Sequence, residues 1–522
     1  MDNMKDRSIH YTAQKVSEDI QNMTTYKNFY SDLQKLVSSS SVKKSDFRNT
    51  LVDALKKSGM GTELRNSIFH WIRSHSNQLH NQNAKEPLAY LRKAQMQWEK
   101  RIHKSLNSMS NELGVPLARY RSASDKDELE EKWSELSTYD IDLSQYRPVY
   151  APKDFLDVIL AIRSPNYNLI KSGGNWDFTQ IPLKVKSLAE LRSLYNEISR
   201  GEPFLGLEAT IMAGTSTLSN LEAERMELGQ KVLASKHAPT AQEFLKKGCP
   251  RSIRGRIWSQ VLGSEPKAQH AEYFSELKSL VLLYDLMVDK LIIKDVQLTA
   301  SNDDQYFVFE DVLYQVMLCF SRDADVLSVV HHSSSNPIHA ILRGKTVSIE
   351  STVAYPPSGI IPFHGFTMYA TALCYIYDDP VNLYHTFRAF YMRYWFRLHE
   401  VSSHEQSILS LCLLFERLLQ KQEPQLWLHL KTINVQPIRI VFKWIMRAFS
   451  GHLPPEQLLY LWDLILAYDS LEILPLLAMT IVSFRKHNLL KVDTLHNIEE
   501  VLADLSSIRV MSLIHLCMLK DI

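Results

Sequence analysis

A chain of 522 residues exceeds what one hydrophobic core supports, so two to four domains of roughly 100–200 residues each are expected. Hydrophobic residues at 45% and charged residues at 22% exclude a disordered polypeptide, which lacks the apolar surface needed to offset chain entropy. The 59 Lys and Arg nearly cancel the 58 Asp and Glu, and the formal charge of +1 excludes a global field that would draw the chain to nucleic acid or to an anionic membrane.

The opening MDNMKDRSIHYTAQ has no apolar stretch of the kind a secretory signal requires. The five cysteines, Cys249, Cys319, Cys374, Cys412 and Cys517, are odd in number, widely spaced and never in a CxxC pair. That pattern suggests neither a disulfide framework nor a zinc site, and a reducing, cytoplasmic setting fits it.

Residues 1–118 read as a helical region. In PLAYLRKAQMQWEKRIHKSLNSMSNEL, the residues Leu91, Ala94, Trp98, Ile102, Leu106, Met109 and Leu113 recur at spacings of three and four. Pro87 suits the first helical position and Gly114 the stop. The stripe is either a core face or a surface for a partner helix. Residues 119–239 form a charge-rich and mixed connecting region. SDKDELEEKWSEL reads as a solvated helix face, IPLKVKSL as a strand-like run, and SGGN and RGEP as turns. The Gly173-Gly174 pair stands without the remainder of a phosphate-loop pattern.

From about residue 240 the pattern changes to long apolar helices with proline starts, which predicts an all-α domain over 240–475 and C-terminal helices packed on it over 476–522. In QPIRIVFKWIMRAFS, the residues Ile438, Val441, Phe442, Ile445, Ala448 and Phe449 share one face, while Arg439, Lys443 and Arg447 recur at every fourth position on another. Pro437 opens that helix and Pro455 the next. The apolar region from Leu458 to Phe484 is broken by Asp463, Asp469, Glu472 and Pro475, so it reads as two core helices and not as a membrane span.

GxSxG, HExxH and kinase signatures do not occur in the sequence. His70, His75 and His80, and the pair His331-His332, have no acidic or thiolate partners at ligand spacing, so no metal site is expected. PVNLYHTFRAFYMRYWFRLHE interleaves aromatics with Arg388, Arg393 and Arg397. A buried bundle helix whose arginines reach out to its edges explains it better than nucleic-acid binding, and no nucleic-acid partner is expected.

Two phrases carry a family resemblance. KGCPRSIRGRIWSQVLG contains Gly248, Pro250, Arg254 and Trp258 in the order of the opening signature of TBC domains, the all-helical modules that activate Rab GTPases. EPQLWLHLKTINVQPIRIVFKWIMRAFSGHLPPEQLLYLWDLILA is similar to the C-terminal half of that domain, with Trp444, the Leu453-Pro454 turn and the Trp462-Asp463 pair. The tryptophans read as core anchors. Arg254 has two readings, one structural and one as a contact to an acidic partner in the GTPase-binding groove.

The resemblance implies two catalytic motifs, and the chain departs from both. The first is IxxDxxR, whose arginine enters the nucleotide site of the partner; aligned on Ile292 and Asp295, it places Leu298 at the arginine position. Asp295 then survives as a polar helix end. The second is YxQ followed by Gly, and here Pro362, Phe363, His364 and Gly365 occupy it, so His364 stands at the glutamine position. An arginine finger contributes about 10³–10⁵ in rate, roughly 4–7 kcal/mol, and leucine has no donor or charge with which to supply it. Arg322 and Arg343 are candidate substitutes from loop segments. HHSSSNPIHAILRGKTVSIESTVAYPPSG reads as an inserted loop between the two motifs.

The resemblance therefore implies a GTPase-activating protein for a Rab GTPase, acting in membrane traffic with atypical fingers, or else a TBC fold that docks a Rab without accelerating hydrolysis. Partner-binding candidates are Arg254, Asp295, His364, Arg322 and Arg343. The chain itself needs no cofactor, because GTP and magnesium belong to the partner, and membrane association would come through partners.

Overall fold

A computed structural model describes residues 20–38, 44–83, 88–139, 141–162, 181–199, 215–302, 307–330, 338–342 and 352–519, together with Gln14, Ser17 and Glu18. The fold is all-α, with two short antiparallel strand pairs. Pro87, Gly173, Gly174, His331, His332 and Arg343 lie outside the described residues, as do the side chains of His75 and His80.

The N-terminal helices are α1 (Thr24–Ser38), α2 (Lys44–Lys57), α3 (Met60–Asn83) and α4 (Ala89–Leu113). On α4 the predicted stripe is a core face: Leu91, Trp98, Leu106 and Met109 are buried, and Ala94, Ile102 and Leu113 pack against the same core. Gly114 ends the helix at φ +65°, a left-handed conformation that costs glycine little. Strand β1 (Ala118–Tyr120) follows, then α5 (Ala123–Glu131), capped by Ser122 accepting from the Asp125 N–H at 3.1 Å. The charge-rich face of α5 is solvated as predicted, apart from the buried Leu129.

Helix α6 (Pro152–Ala161) has proline in its first position, and the Asp154 carboxylate accepts from the Ala151 N–H at 2.8 Å. IPLKVKSL forms no strand. It runs as irregular chain into α7 (Leu188–Leu194), which Ser187 and Glu190 open as a capping box, with the Glu190 carboxylate accepting from the Ser187 N–H at 2.7 Å. The alternation of IPLKVK had nothing to pair with, and the S-x-x-E signal at its end was the informative part.

Helix α8 (Ala238–Leu245) leads through Gly248-Cys249-Pro250 into α9 (Arg251–Leu262). Strand β2 (Tyr284–Leu286) pairs with β1, Arg119 opposite Asp285, and runs straight into α10 (Met287–Asn302). After α11 (Glu310–Arg322), β3 (His339–Ile341) and β4 (Thr352–Ala354) pair antiparallel within the segment read as an inserted loop. Helix α12 (Pro380–Arg393) starts at Asp379, whose carboxylate accepts from the Asn382 N–H at 3.0 Å.

The predicted reach of its arginines to the helix edges does not hold. Arg393 and Arg397 are 9% and 6% exposed. Arg393 turns inward to Asp469 at 2.7 Å, and burial lowers the Arg397 pKa to about 10. Arg388 is ion-paired with Asp323 and Asp325. Arg388 and Arg393 are committed to carboxylates, whereas Arg397 reaches the Gln406 side-chain oxygen at 3.4 Å.

Helix α13 (Pro437–Met446) is buried on nearly every side. It stops before Ala448 and Phe449, which turn to φ +47° and +64° while the Phe449 N–H donates to the Trp444 carbonyl at 2.7 Å. Both side chains still join the predicted apolar face at 0% exposure. Helices α14 (Pro455–Tyr468) and α15 (Ile473–Phe484) are the expected pair of core helices. No described helix is long and apolar enough to cross a membrane.

The two signature phrases, some two hundred residues apart, meet in the core. The Asp463 carboxylate on α14 accepts from Arg254 Nε at 3.1 Å and from Trp258 Nε1 at 2.6 Å, both on α9. Trp258, Trp395 and Trp462 are fully buried and clustered, with the Trp395 and Trp462 ring centroids 4.9 Å apart. At roughly 150–250 Å² each, burying such a ring contributes about 4–6 kcal/mol relative to exposure.

Packing runs across the expected boundary near residue 240. One hydrophobic cluster extends from Leu91 to Met518. Phe155 on α6 lies 6.2 Å from Phe442 on α13, ring to ring. Asn66 on α3 caps α8 by accepting from the Ala238 N–H at 2.9 Å.

Candidate functional site

The site forms where α10 meets the loop between β4 and α12. Asp295 is buried on the last turns of α10. Its carboxylate accepts from the Gly365 N–H at 2.6 Å, the Thr367 N–H at 2.9 Å and the Thr367 hydroxyl at 2.7 Å. Asp295 is thus more than a polar helix end: it ties the loop to the helix. Three charge-assisted hydrogen bonds in a buried setting make this a strong tether.

The tether brings the two motif positions into one site. Leu298 lies on the same helix one turn after Asp295 and is partly buried. His364 immediately precedes the tethered Gly365, with its ring 41% exposed and Nδ1 3.7 Å from Asp295 Oδ1. Gly365 itself sits at φ +91°, a conformation that strains any residue with a side chain, and a Cβ there would fall 2.2 Å from Arg447 Nη2 and displace that guanidinium.

Two further groups hold the loop. The Arg447 guanidinium, just past the end of α13, donates to the His364 carbonyl at 2.7 Å. The His364 N–H donates to the Tyr150 carbonyl at 2.9 Å, and the Tyr150 ring packs 5.8 Å from Phe363. Lys294 on α10 donates to the carbonyls of Leu143, at 3.0 Å, and Tyr146. The chain leading into α6 therefore lies along the site. Sequence reading missed Arg447, Lys294 and Tyr150 because each acts across a long gap in sequence. The four-residue basic spacing on α13 was the available signal for the first.

The Rab-GTPase-TBC domain model matches residues 362–490, which begin at this loop. TBC1 domain family member 19 from Homo sapiens is 45% identical over 503 residues, covering 94% of each chain. The chain belongs to the TBC family. A Chlamydomonas flagellar RabGAP TBC domain of known structure is also similar, at 15% identity and a TM-score of 0.41, over 65% of this chain and 97% of that one.

Within the TBC-family chain, the other candidate residues fall in separate places. Arg254 is 2% exposed and closed in by Asp463 and the Cys249 carbonyl, so its structural reading is the one the packing supports. Burial raises the Asp463 carboxyl to about 6 against the pull of Arg254. Arg322 was expected on a loop but ends α11 fully buried, bonded to Asp289, to Ser321 and to the Tyr284 carbonyl at 2.8 Å. Swinging it out would take from the buried Asp289 carboxylate its closest cation, leaving Arg121 at 3.5 Å and the Leu286 N–H, which argues against a mobile substitute.

A cleft of about 1060 Å³ opens beside the start of α9, lined by Arg251, Gly255, Arg256, Tyr377 and Glu456 among others. It contains none of Leu298, Asp295 and His364, but Arg254 of the opening signature is among its lining residues. Among the described residues, no group of His, Cys, Asp and Glu side chains could hold a metal ion.

Proposed function

We propose that this TBC chain docks a Rab-family GTPase on the surface made by the end of α10 and the His364 loop, and that docking, with little acceleration of hydrolysis, is its main output. The carrying observation is the Asp295 tether, which keeps helix and loop in one arrangement while position 298 holds leucine. The lost arginine would have acted chiefly on the transition state, so its absence lowers the rate far more than it lowers ground-state affinity. GTP and magnesium would be brought by the partner, and any effect on membrane traffic or membrane association would follow from the Rab bound.

Residual GTPase activation is the second reading, favoured by the partly exposed His364 ring. One ring nitrogen can orient a water, although it lacks the combined donors and acceptor of a glutamine amide. The test uses the full chain against a panel of Rab GTPases in both nucleotide states, with affinity and single-turnover hydrolysis measured on the same samples. We expect at least one GTPase to bind and its hydrolysis to rise by less than about tenfold, well short of the 10³–10⁵ of an arginine finger. Binding by none of the panel would end the docking reading, and a rise of a thousandfold would end the claim that docking is the main output.

A further inference from the structure

The basic row on α13 has an unanswered end. Arg439, Lys443 and Arg447 follow one another at four-residue spacing, and Arg439 is paired with Asp157 on α6 at 3.1 Å. Lys443 is exposed, and among the described residues no carboxylate lies within ion-pairing distance of it or of Arg447. Arg447 is partly buried, and its Nε is buried without an acceptor.

A guanidinium withdrawn from water normally has a carboxylate or a full set of acceptors. Arg447 has the His364 carbonyl. Asp295 attracts it electrostatically, yet both Asp295 oxygens are taken by Gly365 and Thr367. His452, which also faces Arg447 and Lys443, offers no compensation: burial and those two cations push its pKa down to about 3, so it stays neutral. Desolvation accordingly lowers the pKa of Arg447. The exposed Lys443 and the under-compensated Arg447 thus stand about one helical turn apart, with Arg447 bonded to the His364 loop.

We propose that Lys443 and Arg447 form an anion-receiving edge of the docking surface, which takes an acidic segment of the docked GTPase, one carboxylate toward each cation. The inference rests on the docking reading and adds the chemistry of the contact. Cations in a row along a helix edge suit a run of carboxylates. A nucleotide phosphate fits less well, because Arg447 is tied back to the loop and Lys443 lies a turn further from it.

The test measures the dissociation constant of a GTPase that binds the unsubstituted full chain, at low and high salt, in its diphosphate and triphosphate-analogue states. Lys443→Glu is expected to weaken binding about tenfold at low salt, with the loss shrinking at high salt and Lys443→Arg restoring it. Arg447→Met is expected to weaken binding by a similar factor in both nucleotide states while thermal unfolding of the chain stays cooperative. If Arg447→Met fails to fold, the exposed Lys443→Glu decides alone. Dissociation constants within twofold of the unsubstituted chain for the folded variants would overturn the inference and leave docking standing. A loss confined to the triphosphate state would also overturn it, since the anion would then be the nucleotide. Failure of the unsubstituted chain to bind any GTPase would remove both readings together.

Discussion

At position 298 a side chain without hydrogen-bond donors follows, one helical turn on, a carboxylate that accepts three bonds from the neighbouring loop. The two facts bear differently on function. The tether at Asp295 is intact, and on the proposed reading position 298 lacks the charge it would accompany, so the test is to restore chemistry to positions 298 and 364. Leu298→Arg in a complex with a bound Rab is expected to raise single-turnover hydrolysis about 10- to 100-fold by stabilising phosphoryl charge. His364→Gln alone should change it less than about threefold, because orienting water leaves most of the barrier standing. The double variant should exceed either, and a double variant no faster than the unsubstituted complex would show that these are not the finger positions. Both positions are assigned from spacing to Ile292 and Gly365, and the structure bears on them only through the Asp295 tether between helix and loop. The loop's other supports, Tyr150 and Arg447, were not legible in the sequence, because a backbone carbonyl and a distant guanidinium leave no local pattern.

Elements were legible where their signals were local. Proline at the starts of α13 and α14, Gly114 after α4 and the apolar spacing between them all describe single helices, and the structure keeps them. The β1–β2 pair was not foreseen, since three-residue strands joined across some 160 residues have no periodicity to read. The contact of α4 with the turn after Arg397 carries a pH dependence that sequence also hides. The Val401 N–H donates to Gln95 of α4 at 2.7 Å, and beside it burial, with Glu99 adding repulsion and Arg397 opposing, raises the Glu400 pKa to about 8 from its ordinary 4.5. The neighbouring His399 is held neutral, its pKa lowered to about 4 by burial. A raised carboxyl binds its proton more tightly folded than unfolded. Its contribution to stability is therefore fully present below pH 4.5 and is lost as pH rises through about 8. Comparing urea midpoints of the unsubstituted chain and Glu400→Gln at about pH 5.5 and 8.5 isolates this group from the other titrating residues. The unsubstituted chain should lose more stability than the variant between the two, and equal losses would place the Glu400 proton elsewhere.

At the scale of the whole molecule, composition and the change in helix character near residue 240 suggested separable units, and the packing argues against treating them so. Residues before 240 supply β1, the only partner strand described for β2, α6 against the face of α13, and the Tyr150 carbonyl to the His364 loop. Arg73 on α3 also reaches Asp469 at 3.2 Å, the carboxylate that holds Arg393. A chain of residues 240–522 would expose the apolar faces these elements cover and leave buried polar groups without partners, each costing about 1–3 kcal/mol. Summed over several contacts, that is comparable to the 5–15 kcal/mol by which domains are ordinarily stable. The isolated 240–522 piece is therefore expected to be aggregated or to lack a cooperative thermal transition, and residues 1–239 expressed in the same cell should co-purify with it and restore one. Such complementation would also restore the His364 loop, because Tyr150 is on the N-terminal piece, and binding of a Rab GTPase should return with it. A 240–522 piece that melts cooperatively on its own and binds the same GTPase with the affinity of the full chain would show that the N-terminal elements are accessory to the site.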